Sequence, residues 1–284
     1  MANIEEEVKS LLENNANTLD LNNDDFNHAT PIDCNYFTEN QFIDEFQNTH
    51  KHEVTVLHLN IRSMHKNVDA FNNLTKNFRD GSAVMGVTET WFSSESDIKL
   101  YSIPGYNLVS NHRLDKRGGG VALYIPAGME FQIRHDLNVM SDQLETLFVE
   151  SFVPGKKNVI FGVIYRPPQS NLDQVVNELQ TILLNPLFLN KTIFLMGDFN
   201  TNLLQCEENF HTDAFFNIML SFSLMPLIIK PTRVTETSST LIDNIFCNIQ
   251  PFPSAGIIIS DISDHFPIFT KVDLQNNRYN CSQE

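Results

Sequence analysis

The chain has 284 residues, 42% of them hydrophobic and 19% charged, with 22 Phe and a single Trp. That is enough apolar material for one large buried core and too little charge for a largely disordered chain. No apolar run approaches the ~20 residues of a membrane span, the acidic start lacks the basic leader of a secretory signal, and four cysteines with no C-x-x-C pair argue against a disulfide or zinc framework. The net charge is −16, and residues 1–50 alone carry 11 acids against one base, Lys9. Such a balance disfavours a protein that coats nucleic acid nonspecifically. It suits an enzyme with a local basic patch beside an acidic metal site, and a nuclear or cytoplasmic location with reduced thiols.

In chain order, Ile4, Val8, Leu11 and Leu12 recur at helical spacing and predict a short amphipathic helix. Asn14 to Thr30 is rich in Asn and Asp and reads as a linker with no means of burying itself. Residues 1–33 are therefore expected to be a solvated extension whose removal leaves the fold intact, followed by a domain over 34–273 and a polar tail over 274–284. From residue 54 the pattern alternates. Val54–Leu59 and Ala83–Val87 read as strands around a helix over His65–Phe78. Tyr106–Ser110 pairs with Val121–Ile125 around the loop Asn111–Gly120. Leu147–Phe152 and Val159–Tyr165 form a hairpin through Pro154-Gly155-Lys156-Lys157. Asn171–Leu184 is helical, Thr192–Met196 is a strand, and residues 211–223 are helical. Strands Leu241–Cys247, Ile257–Ser260 and Ile268–Val272 complete the chain. Helices interleaved with buried runs and hairpins predict two mixed sheets packed face to face with helices outside.

Polar residues terminate the apolar runs again and again: Asn60, Glu89, Tyr165 with Arg166, and Asp198 with Asn200. In layered α/β proteins, sites gather where strands end in loops. Asp198 and Asn200 are two apart in Gly197-Asp198-Phe199-Asn200 and project to one side of an extended segment, where they can orient a water and stabilise a developing oxyanion. The same residue types also make ordinary turns. Glu89 is a candidate ligand for a hard cation such as Mg²⁺, with Asn60 as its neighbour. Asp243 lies inside an apolar strand and needs a metal, a histidine or a hydrogen-bond network as partner. In Ser263-Asp264-His265 a carboxylate next to an imidazole can fix its tautomer. Arg113, Lys116 and Arg117 beside Gly118-Gly119-Gly120 make a basic loop; with Arg62, Lys66, Arg166 and Arg233 they form a candidate phosphate-binding patch.

Taken in order, L-x-L-N, E-T-W, R-G-G-G-V, Y-R-P-P, G-D-F-N, P-T-R, L-I-D and S-D-H resemble the endonuclease/exonuclease/phosphatase superfamily over about residues 34–273. More narrowly, they resemble the apurinic-type endonuclease domain of non-LTR (LINE-like) retrotransposons. The resemblance implies a four-layer α/β sandwich. It assigns Mg²⁺, with Mn²⁺ as a possible substitute, to Glu89 and Asn60, with Asp264 toward the metal. Asp198 then orients or deprotonates the attacking water, Asn200 and Tyr165 place the phosphate, and Thr232 contacts a phosphate oxygen. His265 is paired with Asp243 rather than with its neighbour Asp264, and Arg62, Arg117 and Arg166 face DNA. The implied reaction is Mg²⁺-dependent nicking of DNA to leave a 3′-hydroxyl that primes reverse transcription. The sequence has no room for a polymerase, so it is expected to be a fragment, a truncated copy or a free-standing endonuclease-like protein, with a reverse transcriptase domain absent from this chain as a candidate partner. An abasic-site or other phosphodiesterase and a non-catalytic binding remnant are the alternatives.

Overall fold

The computed structural model describes residues 2–15, 17–21, 31–47, 53–78 and 81–274. The elements are α1 (Ala2–Asn15), β1 (Cys34–Thr38), α2 (Glu39–Gln47), β2 (Glu53–Asn60), α3 (Met64–Thr75), β3 (Ala83–Thr88), α4 (Glu95–Leu100), β4 (Tyr106–Asn111), β5 (Val121–Pro126), β6 (Phe131–Ile133), β7 (Glu145–Ser151), β8 (Val159–Tyr165), α5 (Leu172–Leu183), β9 (Thr192–Asp198), α6 (Phe210–Ser221), β10 (Met225–Pro226), β11 (Arg233–Val234), β12 (Ser239–Thr240), β13 (Asp243–Cys247), β14 (Ala255–Ile259) and β15 (Ile268–Asp273). A seven-stranded mixed sheet has the order β1-β14-β15-β2-β3-β5-β4, and a six-stranded mixed sheet the order β10-β13-β9-β8-β7-β6. A small β11–β12 ribbon stands apart.

Strand periodicity sorts side chains into two cores. On β2 and β3, Val56 and Val84 point into the core shared with the second sheet, while Leu57, Leu59, Met85 and Val87 join the outer core with Phe42 of α2 and Met64, Phe71 and Leu74 of α3. On the other side, α5 and α6 lay Val175, Leu179, Phe215 and Phe216 against the six-stranded sheet. The result is the four-layer sandwich that alternating helices and strands predict. The sheets approach so closely at Gly86 that a Cβ there would meet Met196 Sδ at 2.5 Å and Val163 Cγ2 at 2.7 Å. Helix starts follow from local chemistry. Asn171 accepts from the Asp173 and Gln174 amides, and Asn209 from those of His211 and Thr212, each serving donors that have no intrahelical partner.

Most predicted elements stand within a few residues of their expected bounds. The helix expected over 65–78 ends at Thr75 and tightens into a 3₁₀ turn over Lys76–Phe78. β7 begins at Glu145, ahead of the apolar run, because antiparallel pairing carries it opposite Tyr165. β1 and α2 are formed by a segment for which no elements were predicted: β1 pairs in parallel with β14, and α2 buries Phe42. The N-terminal extension differs from expectation where it is described. Leu12 and Leu19 are buried, and the Leu19 amide donates to the Ile229 carbonyl at 2.8 Å, so the segment is docked. Residues 22–30 of the expected linker and residues 275–284 of the expected tail lie outside the described residues.

Candidate active site

The inner faces of the two sheets end together at one edge. Asn60 is the last residue of β2, Tyr165 of β8 and Asp198 of β9, while Asp243, the first residue of β13, is the register partner of Asp198. Glu89 follows β3 directly. Period-two alternation puts Asn60 on the same side as Val56, and Asp198 on the same side as Met196, which faces Gly86 across the sandwich. Strand geometry alone therefore brings residues 138 positions apart into hydrogen-bond range.

Asn60 joins the sheets. Its Nδ2 donates to Glu89 Oε1 at 2.9 Å and to Asp198 Oδ2 at 2.8 Å, while its Oδ1 accepts from the Arg62 amide at 3.1 Å. Asn200 turns back on Asp198: its amide donates to Oδ1 at 2.9 Å and its Nδ2 to Oδ2 at 3.2 Å. The second half of the site is a relay. His265 Nδ1 lies 2.9 Å from Asp243 Oδ2, leaving Nε2 for an incoming group. Thr232 Oγ1 donates to the same Asp243 oxygen at 2.7 Å and accepts from the Asp243 amide at 3.1 Å, and the Thr232 carbonyl accepts from the Phe266 amide. Thr232 thus fixes both members of the carboxylate–imidazole pair.

Electrostatics follow from burial and pairing. Burial, reinforced by Asp243, pushes the Asp198 carboxyl up to about 7. Burial opposes protonation of His265, but the bonded Asp243 carboxylate, with Asp198 and Asp264 near, outweighs it and raises the imidazole to about 9. Asp243 moves the other way: burial favours its acid form, yet the His265 charge and hydrogen bond hold it below the usual carboxylate range. Burial raises Asp264 as well, but Arg62 and Arg233 overcome it and bring the carboxyl to about 2. Tyr165 is kept a phenol by burial and by the Glu89 and Asp198 charges, so it retains a hydroxyl proton to donate.

Backbone strain concentrates here. Arg62, Ser63, Glu89, Trp91 and Asn200 all have positive φ, at 46°, 91°, 52°, 57° and 45°. Non-glycine residues hold such angles only where surrounding structure over-determines them. Here the corners after β2 and β3 interlock: the Ser63 amide donates to the Glu89 carbonyl and the Met64 amide to the Thr90 carbonyl.

Several expected contacts are placed differently. Arg166 is buried, with Nε on the Phe199 carbonyl at 2.6 Å, Nη1 on Ser170 Oγ at 2.9 Å and Nη2 on the Asn200 carbonyl. It clamps the Asp198–Asn200 turn instead of facing substrate. Thr232 is fully buried and its hydroxyl is committed to Asp243, not to a phosphate. Asp264 Oδ2 accepts from Arg233 at 2.8 and 2.9 Å and from Arg62, while its Oδ1 is buried without a partner among the described residues. The Arg62 side chain is 55% exposed, and Arg117 lies over the Trp91 ring, 5.0 Å from its centroid. One residue of the site carried no sequence signal. His58 is fully buried on β2, with Nε2 3.2 Å from Thr88 Oγ1 and Nδ1 4.0 Å from Asp243 Oδ1, and burial lowers it to about 4. As one polar residue in an apolar strand it looks like a satisfied core histidine.

Among the described residues, Asp198, Asp243 and His265 offer ligand atoms within 4.8 Å of one another. The Asp243 oxygens and His265 Nδ1 are already bonded to each other and to Thr232. Glu89 and Asp264 offer the hard oxygen donors that a divalent cation takes, and Asp264 Oδ1 is buried without a partner among the described residues. Asn60 can join them only with its amide turned over, because its nitrogen now faces the carboxylates.

Comparison with known proteins agrees with this geometry. The sequence matches the Endonuclease/Exonuclease/phosphatase family over residues 57–265. No curated protein shows a significant match. Among solved structures, the endonuclease domain of TRAS1, a telomere-specific non-LTR retrotransposon, superposes with a TM-score of 0.60 at 15% identity, covering 79% of this chain and 100% of that one. The AP endonuclease LMAP from Leishmania major gives 0.63 at 11% identity, covering 81% of this chain and 90% of that one. The 3′-5′ exonuclease NExo from Neisseria meningitidis gives 0.56 at 15% identity, covering 78% and 100%. With that match spanning well over half its length, the chain belongs to the Endonuclease/Exonuclease/phosphatase family of metal-dependent hydrolases.

Proposed function

We propose that the protein is a Mg²⁺-dependent DNA endonuclease that hydrolyses one phosphodiester to leave a 3′-hydroxyl, a target-site nick of the kind that primes retrotransposition. The observation that carries this reading is the meeting of the Asn60–Glu89–Asp198 cluster with the Asp243–His265 relay at one open edge. A phosphodiester needs a positioned water, a place for developing negative charge and a leaving oxygen in line. Asp198, buried and raised, accepts the proton of that water, with Asn200 holding the carboxylate in place. His265, kept cationic by Asp243, presents Nε2 to the phosphate, and the Tyr165 phenol donates to another of its oxygens. Glu89, Asp264 and a reoriented Asn60 would hold Mg²⁺, or Mn²⁺ in its place, which as a Lewis acid neutralises charge on the phosphate. Arg62 and Arg117, at the rim, suit backbone phosphates. The TRAS1 domain supports the retroelement reading. On that reading the nick would serve a reverse transcriptase, and the cell compartment would be the nucleus or the cytoplasm.

The test is nicking of supercoiled plasmid. Mg²⁺-dependent conversion to open circles, extendable by a polymerase from the nick and lost in Asp198→Ala and His265→Ala, is the expected result. Cleavage confined to abasic duplexes would replace the substrate assignment. DNA binding without any cleavage would overturn the catalytic one.

A further inference from the structure

Trp91, the only tryptophan in the chain, stands two residues after Glu89. Its indole Nε1 donates to Glu89 Oε2 at 3.2 Å, while Asn60 Nδ2 holds the other oxygen at 2.9 Å. Each carboxylate oxygen therefore has one donor, and the indole is the one that stays in place when Asn60 turns its amide toward a cation. An indole is well suited to this task. It is rigid, donates one hydrogen and accepts none. Being neutral, it orients the carboxylate without cancelling the charge that a cation needs, as a lysine or arginine would.

The indole is itself braced from two sides. The Trp91 amide donates to the Gly119 carbonyl at 2.9 Å, and the Thr90 amide to the Gly120 carbonyl at 3.2 Å. That glycine run is tied down in turn. Glu145, fully buried on β7, accepts from the Gly120 amide at 2.5 Å and from the Arg113 guanidinium. Gly119 holds φ +65°, which favours glycine, and a Cβ there would press on Glu145 Oε1 and the Arg113 guanidinium. On the open side, the Arg117 guanidinium caps the Trp91 ring. The basic glycine loop thus has a structural tie to the Glu89 corner.

We propose that Trp91 is a positioning residue for Glu89, holding its carboxylate in the orientation that captures the divalent cation, with Arg117 and the Glu145-anchored loop holding the indole in place. This rests on Glu89 being a cation ligand, as proposed above. Partners of this kind orient metal ligands, and their loss typically weakens metal binding about 10- to 100-fold.

The test is Mn²⁺ binding to the full chain, stripped with EDTA and free of DNA, followed by the electron paramagnetic resonance signal of unbound Mn²⁺. Trp91→Phe keeps a ring and removes only the N–H. It should bind Mn²⁺ about 10- to 100-fold more weakly than wild type at a nearly unchanged melting temperature. Arg117→Gln should weaken binding several-fold, and Glu89→Gln should abolish it. Tryptophan emission of the wild type should shift on saturation with Mg²⁺ and stay fixed in Glu89→Gln. If Trp91→Phe binds like wild type while Glu89→Gln does not, the role given to Trp91 is wrong and the cation site stands. If the wild type binds no Mn²⁺, the cation site falls and this inference with it. Should Trp91→Phe not fold, wild-type emission that Mg²⁺ leaves unmoved overturns the proposal.

Discussion

Replacing Asp198 by Asn should stabilise the protein while abolishing cleavage. Asp198 is 1% exposed and its carboxyl is raised to about 7, from an ordinary carboxylate value near 4. Below about pH 4 the group is protonated whether the chain is folded or not. Between about pH 4 and 7 the folded state alone keeps the proton, so stability falls as pH rises, and above about 7 the full cost is present. At ~1.4 kcal/mol per tenfold change in proton affinity, ionised Asp198 costs the fold about 4 kcal/mol at pH 8. The amide of Asn removes that cost but forfeits two of the bonds the carboxylate accepts, those to Oδ2 from Asn60 and Asn200, at about 1 kcal/mol each. The net gain at pH 8 is about 2 kcal/mol, or about 4–8 °C in melting temperature. At pH 4.5 the wild-type carboxyl is neutral and resembles the amide, so the gain should vanish. Thermal and urea unfolding in EDTA at both pH values is the assay. An Asp198→Asn protein less stable than wild type at pH 8, or one equally stabilised at both pH values, would refute the claim that ionising this buried carboxyl costs the fold.

Thr232→Val keeps the shape of the side chain but deletes a donor to Asp243 and an acceptor for two amides, and should cost about 1–3 kcal/mol in urea unfolding, with Thr232→Ser close to wild type. Deleting residues 1–21 removes buried Leu12 and Leu19 and should cost about 3–5 kcal/mol at the rate for buried leucines; unchanged stability would show that docking of the extension contributes nothing. Burial pushes the thiols of Cys34, Cys206 and Cys247 up to about 11, 12 and 12, so all three should resist a thiol reagent at pH 8 until the chain is unfolded.

The sandwich was legible because its strands are long unbroken apolar runs and its helices carry clear periodicity and caps: Val159–Tyr165 and Asn171–Leu184 stand almost where the pattern puts them. Asn60, Glu89, Tyr165 and Asp198 were legible for a related reason, since a polar residue closing an apolar run marks the sheet edge. What escaped was what depends on long-range geometry. Arg166 and Thr232 are residue types that bind phosphate, and nothing local says that a strand pairing turns their donors inward. His58 hides because its neighbours 30 and 185 positions away have no footprint in its own segment. The docking of Leu19 on Ile229 is equally nonlocal, and composition alone misreads it as solvated. β1 and α2 escaped because neither stands on an apolar run: β1 is Cys-Asn-Tyr-Phe-Thr, and α2 sets Phe42 and Ile43 among Glu, Asn, Gln and Asp.

The reacting centre takes Asn60, Glu89 and His265 from the seven-stranded sheet and its connections and Asp198 and Asp243 from the six-stranded one, tied across by the Asn60–Asp198 hydrogen bond and the His265–Asp243 pair. Neither sheet by itself holds a complete set of working groups. A nascent or damaged copy in which the layers have not closed therefore has no assembled site, so any chemistry waits for the finished sandwich.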